Sequence, residues 1–423
     1  MPDLISVKRI EVIMDKKEVN ELKRRFTRDG VTFTRFCGCY VNSEKEKILT
    51  FSENFLGQDD DVLLKYIEIA KKVLSGNIGD NLLTLDYETA MEGDGTPHRA
   101  LMALRDSGLS AQSMTDAFFD TVIDSYGYAG NYLILLFADT YDVVTKTSDN
   151  LKLDESEEVF KYILCAVCPV ELSKPALGYL ADEGRIGPRI RDWVVGMPDT
   201  GFLFPAFNER STDIHSVLFY TKDTKDPHRE LMTDVLGVTA KNTATQKQTV
   251  FKNIIRHAVE DEETSEKVSL DIYEKLTEIT SEEDDGEPIV LTSGELKDII
   301  KDNGLSEATG DRIVSGFEES FGDVLPEASY LIDKKAVKTI EANARENELK
   351  EEIELLKNEV DYHRNINSED KNSTTDITEF DVIMHVKPTK VSQIHTELIN
   401  GKKCVIVPLG ENEEFCINGV RTQ

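Results

Sequence analysis

The densest apolar positions of the chain lie between Gly130 and Thr221. Asn131–Phe137, Tyr162–Cys168, Trp193–Val195, Gly201–Phe207 and Val217–Tyr220 are short apolar runs without a helical period. Runs of that length, rich in aromatic and β-branched residues, predict strands. Together they predict the central sheet of a main domain. Pro205 cannot donate to a ladder, so it predicts an edge strand or a bulge. The polar connection Asp139–Glu158 is longer than compact domains usually need and predicts local or functional structure.

Ahead of this stretch the pattern alternates between helix and strand. Asp15 with Glu18 three residues on predicts a capping box, and Val19, Leu22 and Phe26 give the helix one apolar stripe. Val31–Val41 and Lys47–Phe55 predict a hairpin. Asp59–Asp61 crowd the start of a helix whose Val62, Tyr66, Ile69 and Val73 form one face. Ser75–Asp80 predicts its stop, and Asn81–Tyr87 a strand. Two helices follow, Pro97–Arg105 and Ser110–Asp124, the second with Met114, Phe118, Val122 and Ile123 inward.

After Asp226 the helical period takes over. Thr245–Val259 and a segment marked by Val268, Ile272, Leu276 and Ile279 are helices. Ser293–Asp302 and Ser306–Phe321 predict a helical hairpin, capped by Asn303-Gly304. Lys334–Tyr362 is a charged helix with Leu349, Ile353, Leu356 and Val360 at heptad spacing. That run is too short for a coiled coil and predicts a docked helix or a modest dimer contact. The tail predicts a strand to Val386, a helix carrying Val391, Ile394 and Leu398, and strands at Lys403–Val407 and Glu414–Asn418, with a turn at Asn400-Gly401.

The expected architecture is therefore α+β. A mixed or antiparallel central sheet with flanking helices spans residues 1–235. An acidic helical region (236–330), a charged helix (331–364), a linker (365–378) and a small α/β module (379–423) follow.

Charge narrows the function. The 423 residues carry a formal net charge of −31, which repels the phosphates of nucleic acids and anionic lipids. Neither a secretory signal nor a run long enough for a membrane helix is present, so a soluble cytoplasmic protein is expected. Six cysteines in so long a chain do not make a disulfide framework.

Three constellations could carry chemistry. Cys37, Cys39, Cys165 and Cys168 form two close pairs that could bind zinc. Both pairs fall on predicted strands, however, where Cys37 and Cys39 share a face and Cys165 and Cys168 do not. Core packing is the expected role. Lys23, Arg24, Arg25 and Arg28 sit in the one concentrated basic patch, with Lys16, Lys17 and Arg35 nearby. They could meet phosphates, or form a solvated face paired with acidic surface. Asp199, Asn208, Glu209, Arg210 and Asp213 cluster around two prolines beside an aromatic run, as a ligand site or an Arg–carboxylate brace. The histidines follow no ligand spacing, and phosphate-loop, dinucleotide and nucleophile-elbow motifs are missing.

Several runs have a family resemblance. Asn131-Tyr-Leu-Ile-Leu-Leu-Phe-Ala-Asp-Thr-Tyr-Asp142, Ser156–Phe160 leading to Cys168-Pro-Val170, Gly201-Phe-Leu-Phe-Pro-Ala-Phe-Asn-Glu-Arg-Ser211, Leu74-Ser-Gly76 and Asn418-Gly-Val420 resemble, in that family's own run of motifs, a firmicute family defined only as a domain of unknown function (4317). The resemblance covers most of the chain and implies a bacterial cytoplasmic protein. It implies no activity, cofactor or catalytic residue. The expectation is a non-enzymatic adaptor or regulatory protein with a protein partner and no cofactor. One alternative is nucleic-acid association through Lys23, Arg24, Arg25 and Arg28. The other is an enzyme with its site in the 199–213 loop.

Overall fold

The computed structural model describes residues 14–143, 158–259, 261–281, 288–302, 305–322 and 324–339, with parts of 342–357, 393–409 and 415–422. The chain divides into two units, Met1–Ile340 and Glu341–Gln423.

The first helix, α1 (Lys16–Arg25), starts from the expected capping box: Glu18 N donates to Asp15 Oδ1 at 2.7 Å, and Asp15 N to Glu18 Oε2 at 2.7 Å. The hairpin β1 (Arg35–Val41) and β2 (Lys47–Asn54) follows, then α2 (Asp60–Val73) and β3 (Leu82–Asp86). Next come α3 (Pro97–Asp106), α4 (Gln112–Ser125), β4 (Asn131–Val143) and β5 (Glu158–Leu172). A ribbon follows, made of β6 (Leu177–Leu180), β7 (Arg185–Pro188) and β8 (Trp193–Val195). Then come β9 (Thr200–Phe204), the small hairpin β10 (Ala206–Asn208) and β11 (Ser211–Asp213), and β12 (Ser216–Thr221).

The main sheet is antiparallel throughout, in the order β2-β1-β4-β5-β9-β12-β3, with β8 added to the end of β5. Side chains of successive strand residues point to opposite faces. Along β4, Ile134 and Leu136 enter one core with α3 and α4, while Leu133, Leu135 and Phe137 enter a second core with α1 and α2. Because helices cover both faces, the strands need apolar residues at every position. That is why the central runs have no polar alternation.

Two helix faces differ from the expected ones. Leu63 and Ile67 are buried on α2 while Val62 is exposed; on α4, Thr115 and Phe119 are buried while Met114 is exposed. Pro205 is neither on an edge strand nor in a bulge. It follows Phe204, the last residue of β9 to pair with β5, so its missing N–H costs the ladder nothing. Much of the long polar connection is strand, since β4 and β5 pair out to Val143↔Glu158; residues 144–157 lie outside the described part.

Beyond the wide helical turn Leu231–Leu236 lie α5 (Ala244–Ala258), α6 (Glu262–Ser281), α7 (Ser293–Asp302), α8 (Glu307–Phe321) and α9 (Ala328–Leu331). They enclose their own core around Phe251, Ile255, Ile272, Leu276, Phe317 and Leu331. The loop after α2 joins this core to the sheet. Ala244 N donates to Gly79 O at 2.7 Å and Thr245 N to Asp80 Oδ1 at 3.1 Å. Lys241 Nζ reaches Asp86 and the Thr84 carbonyl, covering the β3 edge.

In the second unit, β13 (His395–Ile399) pairs with β14 (Lys402–Ile406), and β15 (Phe415–Ile417) with β16 (Val420–Thr422). The expected helix through Ile394 and Leu398 is thus a strand. Asn400 and Gly401 both have positive φ, the two-residue turn that matches the twist of a hairpin. The turn fixes the preceding segment as a strand despite its helix-compatible spacing. Leu349, Ile353 and Leu356 are exposed. Val360, the linker, the strand to Val386, Val391 and the Asn303-Gly304 cap lie outside the described residues.

Gly79 has φ +79°, and a Cβ there would lie 2.3 Å from the Tyr330 ring. Gly79→Ala should therefore lower unfolding free energy by about 2–3 kcal/mol, read as a lower urea midpoint. An unchanged midpoint would show that this loop does not brace the two cores.

Candidate functional site

The basic patch is folded onto the sheet. Asp139, buried on β4, accepts from Tyr162 Oη at 2.5 Å and Thr32 Oγ1 at 2.7 Å, and pairs with Arg25 at 3.4 Å. The Arg25 guanidinium lies 3.9 Å from the Tyr141 ring centroid, within range of a cation–π contact. Burial, and next the Asp139 carboxylate, push the Tyr162 phenol well above its usual range. Lys23 Nζ donates to Ser75 Oγ at 2.6 Å, and Arg28 pairs with Asp60 at 2.6 Å. Burial, then Lys72 and Lys71, pull Lys23 below its usual value. Arg24 is exposed. Three of the four candidate phosphate contacts thus have partners within the chain.

The 199–213 candidates separate along β9. Asp199 precedes the strand and pairs with Lys222 Nζ at 2.7 Å. Glu209, Arg210 and Asp213 lie beyond its other end. Glu209 and Arg210 both have positive φ and form the turn between β10 and β11, a conformation usually left to Gly, Asn or Asp. Helix α1 holds it: Arg210 N donates to Glu18 Oε1 at 3.1 Å, and its guanidinium to Glu21 at 2.9 and 3.1 Å. Tyr141 Oη also donates to Glu21, at 2.7 Å. Asp213 accepts from Asn208 Nδ2 at 2.6 Å and Ser216 Oγ at 2.5 Å, closing the small hairpin. This arrangement is a brace for a strained turn.

The four sheet cysteines do not converge. Cys37, Cys39 and Cys165 face the core with α3 and α4, while Cys168 faces the other. Burial raises all four thiols, Cys39 to about 11, so little thiolate forms at neutral pH. Among the described residues, no group of three or more His, Cys, Asp or Glu side chains is placed to hold a metal ion. An open groove of about 400 Å³ lies between α5 and α8, lined by Val250, Ile254, His257, Arg312, Gly316 and Glu319.

A surface feature is left that the sequence reading did not predict. Past Leu172 the chain runs on as a two-stranded ribbon. Val170–Leu172 pair with β8, Ser173 N donates to Asp192 O at 2.8 Å, and Arg189 N to Ala176 O at 2.9 Å. Beyond these bonds β6 pairs with β7, Tyr179 opposite Ile186. Arg191 bonds the Ser173 carbonyl at 2.6 Å and stiffens the base. The alternation of strand side chains puts Leu177, Tyr179, Ile186 and Pro188 on one face. Leu177 is 77% exposed, Tyr179 68% and Ile190 79%. Trp193, the only tryptophan, is 56% exposed at the base. The signal was there: alternating Leu177 and Tyr179, then Gly184 at a turn with φ +62°. Two glycines and the arginines diluted it.

The structure thus defines an α+β protein: an antiparallel sheet between two helical layers, carrying a projecting apolar ribbon and an added helical core. The chain belongs to the family described as "Domain of unknown function (DUF4317)", which matches residues 14–420. Curated proteins gave no match. No helix among the described residues is long and apolar enough to cross a membrane.

Asp139→Ala removes the acceptor shared by Tyr162, Thr32 and Arg25 and strands the buried Tyr162 hydroxyl, and should cost about 3 kcal/mol of stability, measured by urea unfolding. A loss within experimental error would show that the network is not what fastens α1. Iodoacetamide at neutral pH should label Cys404, the partly exposed thiol among the described residues, and spare Cys37, Cys39, Cys165 and Cys168 until denaturant is added. Mass-spectrometric mapping checks this, and equal labelling in the native protein would contradict it.

Proposed function

We propose that this protein acts by binding another protein, as a non-enzymatic adaptor or regulator in the bacterial cytoplasm. The observation that carries the reading is the ribbon. A two-stranded ribbon gains little stability in water, and large apolar side chains held out on one mark an interaction surface. The candidate polar groups support the same reading from the other side. Arg25, Arg210, Asp199 and Asp213 are each engaged in bonds that hold the fold. Lys23 and Arg28 of the basic patch are similarly engaged, and the acidity of the chain opposes phosphate binding.

The test is photo-crosslinking in the cells that make the protein. A benzophenone amino acid at position 179 should give a protein adduct. The same probe at position 324, where Val324 is exposed in the helical region, should not. Adducts absent from both positions, or equal at both, would overturn the reading.

A further inference from the structure

We propose that Lys23 is an acylation site, an amine that takes an acyl group from a small anionic donor of the acyl phosphate class. The proposal stands apart from the interaction reading and uses none of the ribbon's residues.

Placement is the first argument. Lys23 reaches from α1 to the C-terminal end of α2. Its Nζ donates to Ser75 Oγ at 2.6 Å, and Ser75 Oγ donates to the Lys71 carbonyl at 2.6 Å. Lys71 and Lys72 close the last turn of α2, so three amines from two helices share this corner. Lys72 Nζ lies 6.0 Å from the Tyr220 ring centroid. Among the described residues, no carboxylate forms an ion pair with any of the three.

Partner chemistry is the second. Lys47, Lys65, Lys222 and Lys297 each touch a carboxylate at 2.7–3.0 Å, which holds the ammonium charged. Lys23 bonds a hydroxyl instead, and a hydroxyl accepts from a neutral amine too. Burial first, then the charges of Lys72 and Lys71, lower its basicity. The carbonyls that end α2 attract cations and offset part of this effect. The neutral amine is the form that attacks an acyl carbon.

Recruitment is the third. On a chain of net charge −31, a corner of three lysines without carboxylate partners is a local positive excess, and it draws a small anion to the amine. In the step itself, Lys23 Nζ attacks the acyl carbon and a C–N bond forms. The bond from that carbon to the phosphoryl oxygen breaks. Phosphate departs with the electron pair and takes up the proton that the amine releases. The product amide keeps one N–H, enough for the bond to Ser75, so α1 stays seated.

The test incubates the full chain with acetyl phosphate at neutral pH and maps acetylated lysines by mass spectrometry over time. Lys23 should react roughly threefold to tenfold faster than Lys65, although Lys65 is the more exposed of the two. The span includes the weaker nucleophilicity of a less basic group. The lead should fall in about 1 M sodium chloride, where the Debye length is about 3 Å. Lys71→Gln with Lys72→Gln should bring Lys23 down to the Lys65 rate. Circular dichroism of that variant should match the parent, since glutamine is a good helix former. A Lys23 rate in the parent no higher than that of Lys65 would overturn the proposal. So would a lead that survives both substitutions, or one that high salt leaves unchanged. If the double variant loses its fold, the salt series on the parent decides alone.

Discussion

The antiparallel pairing of β4 with β5 is the constraint on which the first unit depends. It runs unbroken from Asn131↔Val170 to Val143↔Glu158, and every other strand of the main sheet is placed relative to it. Over Tyr132–Asp139 and Tyr162–Val170 both strands are buried on both faces, so nearly every residue there contributes to a core. Ile134 and Leu136 face α3 and α4, and Leu133 and Leu135 face α1 and α2. Burial of this kind, roughly 25 cal/mol per Å² of apolar surface, makes the pair the least replaceable part of the chain.

The two ends of this spine have different fates. At one end, Asp139 is buried, and the structure gathers hydroxyls and Arg25 around it. Those bonds, continued through Tyr141, Glu21 and Arg210, fasten α1 and the strained turn of the small hairpin. At the other end β5 outruns β4 by Glu171 and Leu172 and takes β8 as its partner instead. The ribbon is the continuation of that overhang. Nothing among the described residues covers Leu177, Tyr179 or Ile190, so the longest strand of the core ends as an exposed apolar surface.

Legibility followed locality. The capping box of α1, the stop after α2 and the helical hairpin α7–α8 were readable because a few neighbouring residues decide each of them. The cysteines were readable too, since strand alternation separates Cys165 from Cys168. Asp199 belonged to the 199–213 cluster in sequence only, while Asn208, Glu209, Arg210 and Asp213 stay together in the small hairpin. Once β9 is extended, at about 3.3 Å per residue, Asp199 lies at the opposite end of the strand from Asp213. The ribbon was missed because glycine and arginine weaken its alternating pattern. Its exposure is a property of what fails to pack on it.

The sequence by itself determined an α+β chain with a central apolar sheet, a later helical region and an acidic surface, because hydrophobic period and charge are written residue by residue. Only the tertiary structure decided that Arg25 and Arg210 are anchors, that Pro205 ends a central strand, that His395–Ile399 is extended, and that Trp193 stands in the open. Each depends on partners distant in the chain: a buried carboxylate more than a hundred residues from its arginine, or the absence of a neighbour over a strand. Local pattern carries no information about either.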